Sequence, residues 1–267
     1  MLKVAVLGAA GRMGRAVLSC VFEADDLKLI GAITEPGDRL LGRDAGEVAG
    51  VDPVGVPLTD ERKQGLHAAQ VAIDFTLPSA TEANLRACIE SGTALVIGTT
   101  GLEDRQQKAM EKAAHEIPVV YARNMSVGVN VFMDLVGRAA KALGDGYDVE
   151  IIEAHHRHKV DAPSGTALRF GAVIARALGR DLARDAVHGR QGDVGERDPR
   201  AIGFHAIRGG DIVGEHTVLF AGEGERLEIT VRSGSRATYA TGALRAARFL
   251  ADKRNGLYDM QDVLGLR

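Results

Sequence analysis

Apolar and polar positions follow two different rhythms along this chain. Up to about residue 126, short unbroken apolar runs alternate with stretches of helical spacing. "LKVAVL" (2–7), "LKLIGAI" (27–33), "VAIDF" (71–75), "ALVIG" (94–98) and "PVVYA" (118–122) each read as a strand. The patterns at 12–24, about 79–91 and about 103–115 read as helices. A strand with both faces covered has no in/out alternation, so such runs belong to a parallel sheet with helices on both sides. The pattern therefore predicts an α/β, doubly wound domain over 1–126.

The second rhythm begins there. A helix is expected at 128–143, a strand at 147–154 and a helix at 164–178, then a charged, Gly-rich loop at 188–200. Three strand-like stretches, 201–208, 212–221 and 226–232, come in succession. Strands grouped in this way predict an α+β domain with a mixed or antiparallel sheet over 127–235. The amphipathic stretch 237–253 opens a C-terminal segment, 236–267, expected to return to the first domain.

Composition changes this picture little. The net charge of -3 argues against a general nucleic-acid binder. No stretch approaches the roughly 20 apolar residues that span a bilayer, and the N-terminal apolar run is too short for a signal peptide. A cytoplasmic protein without membrane or nucleic-acid partners is expected. Cys20 and Cys88 fall in helical patterns and read as reduced, buried thiols. Glycine is the exception, with 33 in 267 residues against roughly 7% in average usage. That excess predicts tight turns or close approach of backbone to a ligand.

One cluster of glycines lies where such an approach carries chemistry. "VLGAAGRMG" sets Gly8, Gly11 and Gly14 between the first strand and the first helix. There a parallel sheet binds a dinucleotide pyrophosphate, glycines permitting the turn and helix amides meeting the phosphates. The spacing G-x-x-G-x-x-G is not the commoner G-x-G-x-x-G, so its placement carries the signal. In "GAITEPG", Glu35 after the second strand is positioned to accept from the adenine ribose, or is a solvated loop carboxylate. "GTTG" (98–101) and "ARNMSVGVN" (122–130) follow later strands, where they line the nicotinamide side or are structural turns.

"EAHHRHKVDAPSGTA" (153–167) gathers His155, His156, His158, Arg157 and Lys159. A metal site would face repulsion from Arg157 and Lys159 and has no Cys nearby, so no metal is expected. A solvated basic strand end is the bland alternative. The third reading is an anion site with a proton donor, and the following residues favour it. Asp161 or Ser164 can cap the next helix, Pro163 suits its start, and Gly165 and Thr166 then offer backbone amides to carboxylates. Lys159 adds a charge and His156 or His158 further hydrogen bonds, which fits a small substrate with more than one carboxylate. Crowding by cations is expected to push a histidine here toward its neutral form.

These motifs, with "GAAGRMGR", "DFT", "GTTG" and "NMSVGVN", closely resemble the 4-hydroxy-tetrahydrodipicolinate reductase (dihydrodipicolinate reductase) family of lysine and diaminopimelate biosynthesis. The resemblance runs nearly end to end. It implies a Rossmann-like cofactor domain completed by the C-terminal helix, and a second domain whose sheet builds a homotetramer. It implies that His155 is the acid/base histidine, Lys159 the proton donor, and His156, Gly165 and Thr166 the substrate-carboxylate contacts. For NADPH or NADH it implies contacts from Gly8, Ala9, Ala10, Gly11, Arg12 and Met13, from Gly98, Thr99 and Thr100, and from Ala122, Arg123, Asn124 and Met125. Family members with a Glu-Arg pair after the second strand contrast with Thr34-Glu35 here, which points to greater tolerance of NADH. Other two-domain dehydrogenases of carboxylated imines or amino acids, and a non-catalytic cofactor sensor, are the competing readings.

Overall fold

The computed structural model describes all of residues 1–267. By contacts it divides into two units, Met1–Val127 with Arg236–Arg267, and Gly128–Ser235. No helix is long and apolar enough to cross a membrane.

The first unit runs β1 (Leu2–Leu7), α1 (Arg12–Phe22), β2 (Leu27–Ile33), α2 (Ala45–Ala49), β3 (Leu58–Thr59), α3 (Arg62–Gly65), β4 (Val71–Asp74), α4 (Thr81–Ser91), β5 (Ala94–Ile97), α5 (Asp104–Ala113) and β6 (Pro118–Tyr121). The second unit holds α6 (Val127–Leu143) from its second residue on, then β7 (Asp148–His155), α7 (Gly165–Ala177), α8 (Leu182–Asp185), β8 (Ala186–His188), β9 (Ile202–Arg208), β10 (Gly214–Ala221) and β11 (Arg226–Ser233). The chain then returns to the first unit as α9 (Ala237–Leu250), β12 (Gly256–Tyr258) and α10 (Met260–Leu264).

The first sheet is parallel throughout, in the order β12-β6-β5-β4-β1-β2-β3. This is the doubly wound order, with the crossover beside β1 that opens a ligand crevice at the strands' carboxyl ends. The apolar runs have their physical reason in β1. Val4 and Val6 pack into one core with α1 and α9, while Ala5 and Leu7 pack into the other with α4 and α5. Gly242 lets α9 pass close, since a Cβ there would lie 1.7 Å from Met125 O. Cys88 is buried as the pattern predicts, but Cys20 is only half-buried, on the edge of α1.

The second sheet is mixed, in the order β11-β10-β7-β9-β8. β10 is antiparallel to β11 and β7, whereas β9 is parallel to β7 and β8. Val149, Ile151, Val218 and Phe220 face α6 and α7 around Phe132, Val136, Phe170 and Ile174. Glu153 and His155 continue that helix-facing set along β7, which brings two polar groups to the edge of an apolar core. Strand register supplies their neighbours. His216 stands beside Glu153 on β10, and Arg208 beside His155 on β9.

Candidate active site

The glycine loop of the first unit is a turn closed by Gly11 N donating to Gly8 O at 3.0 Å. Gly8 has φ +81°, a left-handed conformation that favours glycine. A Cβ on Gly14 would fall 2.0 Å from Gly8 O. The loop therefore needs these two glycines to form at all. Gly11 ends the turn as the N-cap of α1, and its side chain, being absent, satisfies no amide. The free N–H groups of the first turn remain for an anion.

Gly8, Ala10, Gly11 and Glu35 line one cavity of about 310 Å³, with Thr34, Asp38, Arg62, Phe75, Thr76 and Asn84 on its walls. The other expected cofactor residues lie outside that lining. Ala9 is fully buried in the core, its N–H donating to Ile33 O at 2.9 Å. Arg12 is exposed and Met13 half-buried, both in the first turn of α1. Gly98, Thr99 and Thr100 follow β5, and Ala122, Arg123, Asn124 and Met125 follow β6, on the same carboxyl edge of the sheet. Thr99 is buried and donates to Thr76 O at 3.1 Å, while Ala122 and Met125 belong to the core.

One organiser of this edge has no role assigned to it by the sequence pattern. Asp74, the acid of the "DFT" stretch, is fully buried at the end of β4. It accepts from Thr76 N at 2.8 Å and Asn84 Nδ2 at 2.9 Å, and Asn84 Oδ1 accepts from Arg62 Nε at 2.7 Å. Burial pushes the Asp74 pKa up. The chain of bonds from Arg62 to Asp74 fixes one wall of the cavity.

In the second unit the histidine cluster resolves into one ordered site and two surface residues. Arg157 and His158 are exposed. His155 is largely buried, its Nδ1 2.6 Å from Oε2 of Glu153, a carboxylate with 1% exposure. Arg208 grips the same carboxylate, Nη1 donating to Oε2 at 2.8 Å and Nη2 to Oε1 at 2.7 Å. Burial would raise the Glu153 pKa, but the Arg208 guanidinium, His155 and Ser164 N–H together hold it below the usual carboxylate range. The His155 pKa is lowered, as expected from the sequence, yet the leading cause is burial. Lys159 and Arg208 add to the shift and Glu153 opposes it.

Ser164 settles the capping alternative. Its Oγ accepts from Ala167 N at 3.1 Å, and its own N–H donates to Glu153 Oε1 at 3.0 Å. Pro163 lies before this cap, not at the first helical position. Gly165 and Thr166 are the first two residues of α7, a 13-residue helix, with their amides at its positive end. Asp161 holds Lys159, whose Nζ donates to both carboxylate oxygens at 2.8 and 2.9 Å. His156 is half-buried, and its ring centroid lies 6.2 Å from that of His158. His155, Lys159, Gly165 and Thr166 thus sit on one strand end, one loop and one helix start, joined by Glu153 and Arg208. The sequence reading assigned no role to Glu153, Arg208 or His216.

A parallel, doubly wound sheet with a glycine turn is the architecture of the dinucleotide-dependent oxidoreductases, and the second unit adds a cationic histidine–lysine site. Family profiles specify the class further. Residues 2–125 match the profile "Dihydrodipicolinate reductase, N-terminus" and residues 128–264 the profile "Dihydrodipicolinate reductase, C-terminus". The chain belongs to the dihydrodipicolinate reductase family. It is 58% identical over 264 residues to 4-hydroxy-tetrahydrodipicolinate reductase of Alkalilimnicola ehrlichii, covering 99% of both chains. It is 56% identical over 266 residues to the enzyme of that name from Nitrosospira multiformis, covering 100% of this chain and 98% of the relative. Its fold matches the dipicolinate-bound dihydrodipicolinate reductase of Paenisporosarcina sp. TG-14, with TM-score 0.78, 24% identity and 98% of each chain covered.

Proposed function

We propose that this chain reduces 4-hydroxy-tetrahydrodipicolinate to tetrahydrodipicolinate, a step of lysine and diaminopimelate biosynthesis. Residues 1–126, completed by 236–267, are the cofactor domain, and 127–235 is the substrate and assembly domain. The observation that carries the proposal is the second unit's site. A lysine, a largely buried histidine and the N-terminus of a 13-residue helix are tied together there through Glu153 and Arg208, which suits a small dicarboxylate that must gain a proton.

A reduced nicotinamide dinucleotide supplies the hydride when bound. The glycine turn fits such a group, because Gly8, Ala10 and Gly11 line a cavity of about 310 Å³ and no side chain caps the N-terminus of α1 beside it. Ala10, Arg12 and Met13 would face its pyrophosphate, while Gly8, Ala9 and Gly11, whose N–H groups are taken by Ile33 O and Gly8 O, would shape the turn around it. Gly98, Thr99, Thr100, Ala122, Arg123, Asn124 and Met125 would line its nicotinamide end. At the ribose end Glu35 and Asp38 are two carboxylates on one cavity wall. Glu35 accepts from a ribose diol there, while a 2′-phosphate meets these two carboxylates and only Arg62 as a cation on the lining. Greater tolerance of NADH follows. Glu35→Arg is expected to shift the kcat/KM ratio toward NADPH, and an unchanged ratio would refute this role.

On the substrate side, Gly165 and Thr166 amides and His156 bind carboxylate. Loss of the 4-hydroxyl as water leaves a conjugated cyclic imine that accepts the hydride; Lys159 gives a proton to the enamine that results, and His155 is the acid/base partner that takes up and relays protons at the site. Orientation and charge placement supply the rate. The test is loss of NADH absorbance with substrate generated by the preceding synthase. Lys159→Ala and His155→Ala are each expected to lower kcat by about 10²-fold or more with cofactor affinity nearly unchanged. Wild-type turnover in either variant would contradict the assigned roles.

A further inference from the structure

Glu153 is a carboxylate buried to 1% exposure, with each oxygen accepting two bonds. Oε2 faces His155 Nδ1 and Arg208 Nη1, and Oε1 faces Arg208 Nη2 and Ser164 N. Arg208 and the Ser164 amide are donors only, and an ionised carboxylate only accepts. The hydrogen between Glu153 and His155 therefore belongs to Nδ1, which leaves the lone pair of the neutral imidazole on Nε2. Gly214 keeps that nitrogen open, since even a Cβ there would approach Nε2 to 3.2 Å.

The same carboxylate reaches the other parts of the site. Ser164, held through its N–H, caps the helix whose first residues are Gly165 and Thr166. Arg208, held through both nitrogens, donates from Nη2 to Asp161 O at 2.6 Å. It thereby fastens the loop on which Lys159 lies. We propose that Glu153, locked by Arg208, is the positioning residue of this site: it fixes the Nδ1–H tautomer of His155 and registers His155, the Lys159 loop and the α7 N-terminus against one another. The proposal rests on the proton-handling role given to His155 above.

Charge, and not only shape, is required of Glu153. A neutral amide of the same size presents two donors where the surroundings supply four. The groups facing His155 are Glu153 on its own strand, Arg208 on β9, His216 on β10 with ring centroids 5.2 Å apart, and Lys159 on the loop. Glu153 favours the imidazolium, and Arg208 and Lys159 oppose it. Removing Glu153 or Arg208 therefore moves the His155 titration in opposite directions. A packing defect has no reason to do so.

The test uses the full chain labelled at histidine, with His155→Asn identifying the resonance. Two-bond proton–nitrogen NMR on the wild type is expected to show neutral His155 protonated at Nδ1. Glu153→Gln is expected to lower the His155 pKa and Arg208→Gln to raise it. Glu153→Gln is also expected to lower kcat about tenfold or more while NADH affinity stays within about twofold of wild type. An Nε2–H tautomer in the wild type, or pKa shifts of the same sign or of zero in the two variants, would overturn the proposal. The tautomer is read on the wild type, with His155→Asn used only for assignment, so a Glu153 or Arg208 variant that fails to fold leaves that part of the test intact. Failure of the proposed reaction would be seen separately, as wild-type inactivity on the named substrate with the tautomer as expected.

Discussion

His216 shows what a single buried side chain costs this site. Its Nε2 lies 3.0 Å from Ser164 Oγ and its ring stands edge-on to Phe170, with 4% of the residue exposed. Burial, and then repulsion by His155, pushes its pKa down to about 4. The unfolded chain takes up this proton near ~6.5, while the native state resists it. Stability is therefore complete above that value and falls as the pH drops toward 4. Between pH 7 and pH 5 the expected loss is about 2 kcal/mol, read from urea midpoints at the two pH values. His216→Gln is expected to flatten that slope, and an equal slope in the variant would contradict the burial argument. At this scale the sequence exposed the His155–Lys159 cluster because its titratable residues fall side by side. Arg208 lies 55 residues from Glu153, and His216 lies 52 from Ser164. Only strand pairing brings them in, so no local pattern announced them.

Among the elements, the strands of the first sheet were legible because each is an unbroken apolar run bounded by turns. What escaped was short. β3 has two residues and β12 three, too few to show any period, and each exists because a neighbouring strand offers a free edge. The small helix α2 was missed for a similar reason. Asp44 holds it from outside the apolar pattern, accepting from Gly46, Val54, Gly55 and Val56 N–H groups. The glycine turn was legible in position, but only the structure separates its roles. Gly14 is needed for packing against Gly8, so Gly14→Ala is expected to reduce NADH affinity by tenfold or more, about 1.4 kcal/mol or beyond, in a fluorescence titration. Normal affinity in that variant would show that the turn tolerates displacement. Ser164→Ala, which removes the α7 cap, is expected to destabilise the chain by about 1 kcal/mol and to raise KM for the substrate more than it lowers kcat. An unchanged KM would separate the cap from substrate binding.

At the scale of the whole molecule, the change of rhythm near residue 126 marked two kinds of sheet, because a doubly covered parallel sheet and a one-sided mixed sheet place different demands on their strands. The outer face of the mixed sheet is the less buried one, with Ile152, Thr217 and Leu219 half-buried opposite the helices. The proposed homotetramer would assemble through this sheet. Light scattering is expected to return four times the 28.2 kDa chain mass, and a monomer at micromolar concentration would refute it. The central claim is that this chain joins a hydride source to a proton-handling dicarboxylate site. Steady-state oxidation of NADH by freshly generated 4-hydroxy-tetrahydrodipicolinate tests it most directly. The account predicts saturable turnover in the wild type that falls by about 10²-fold or more in Lys159→Ala. Absence of turnover in the wild type, or equal turnover in both proteins, would contradict it.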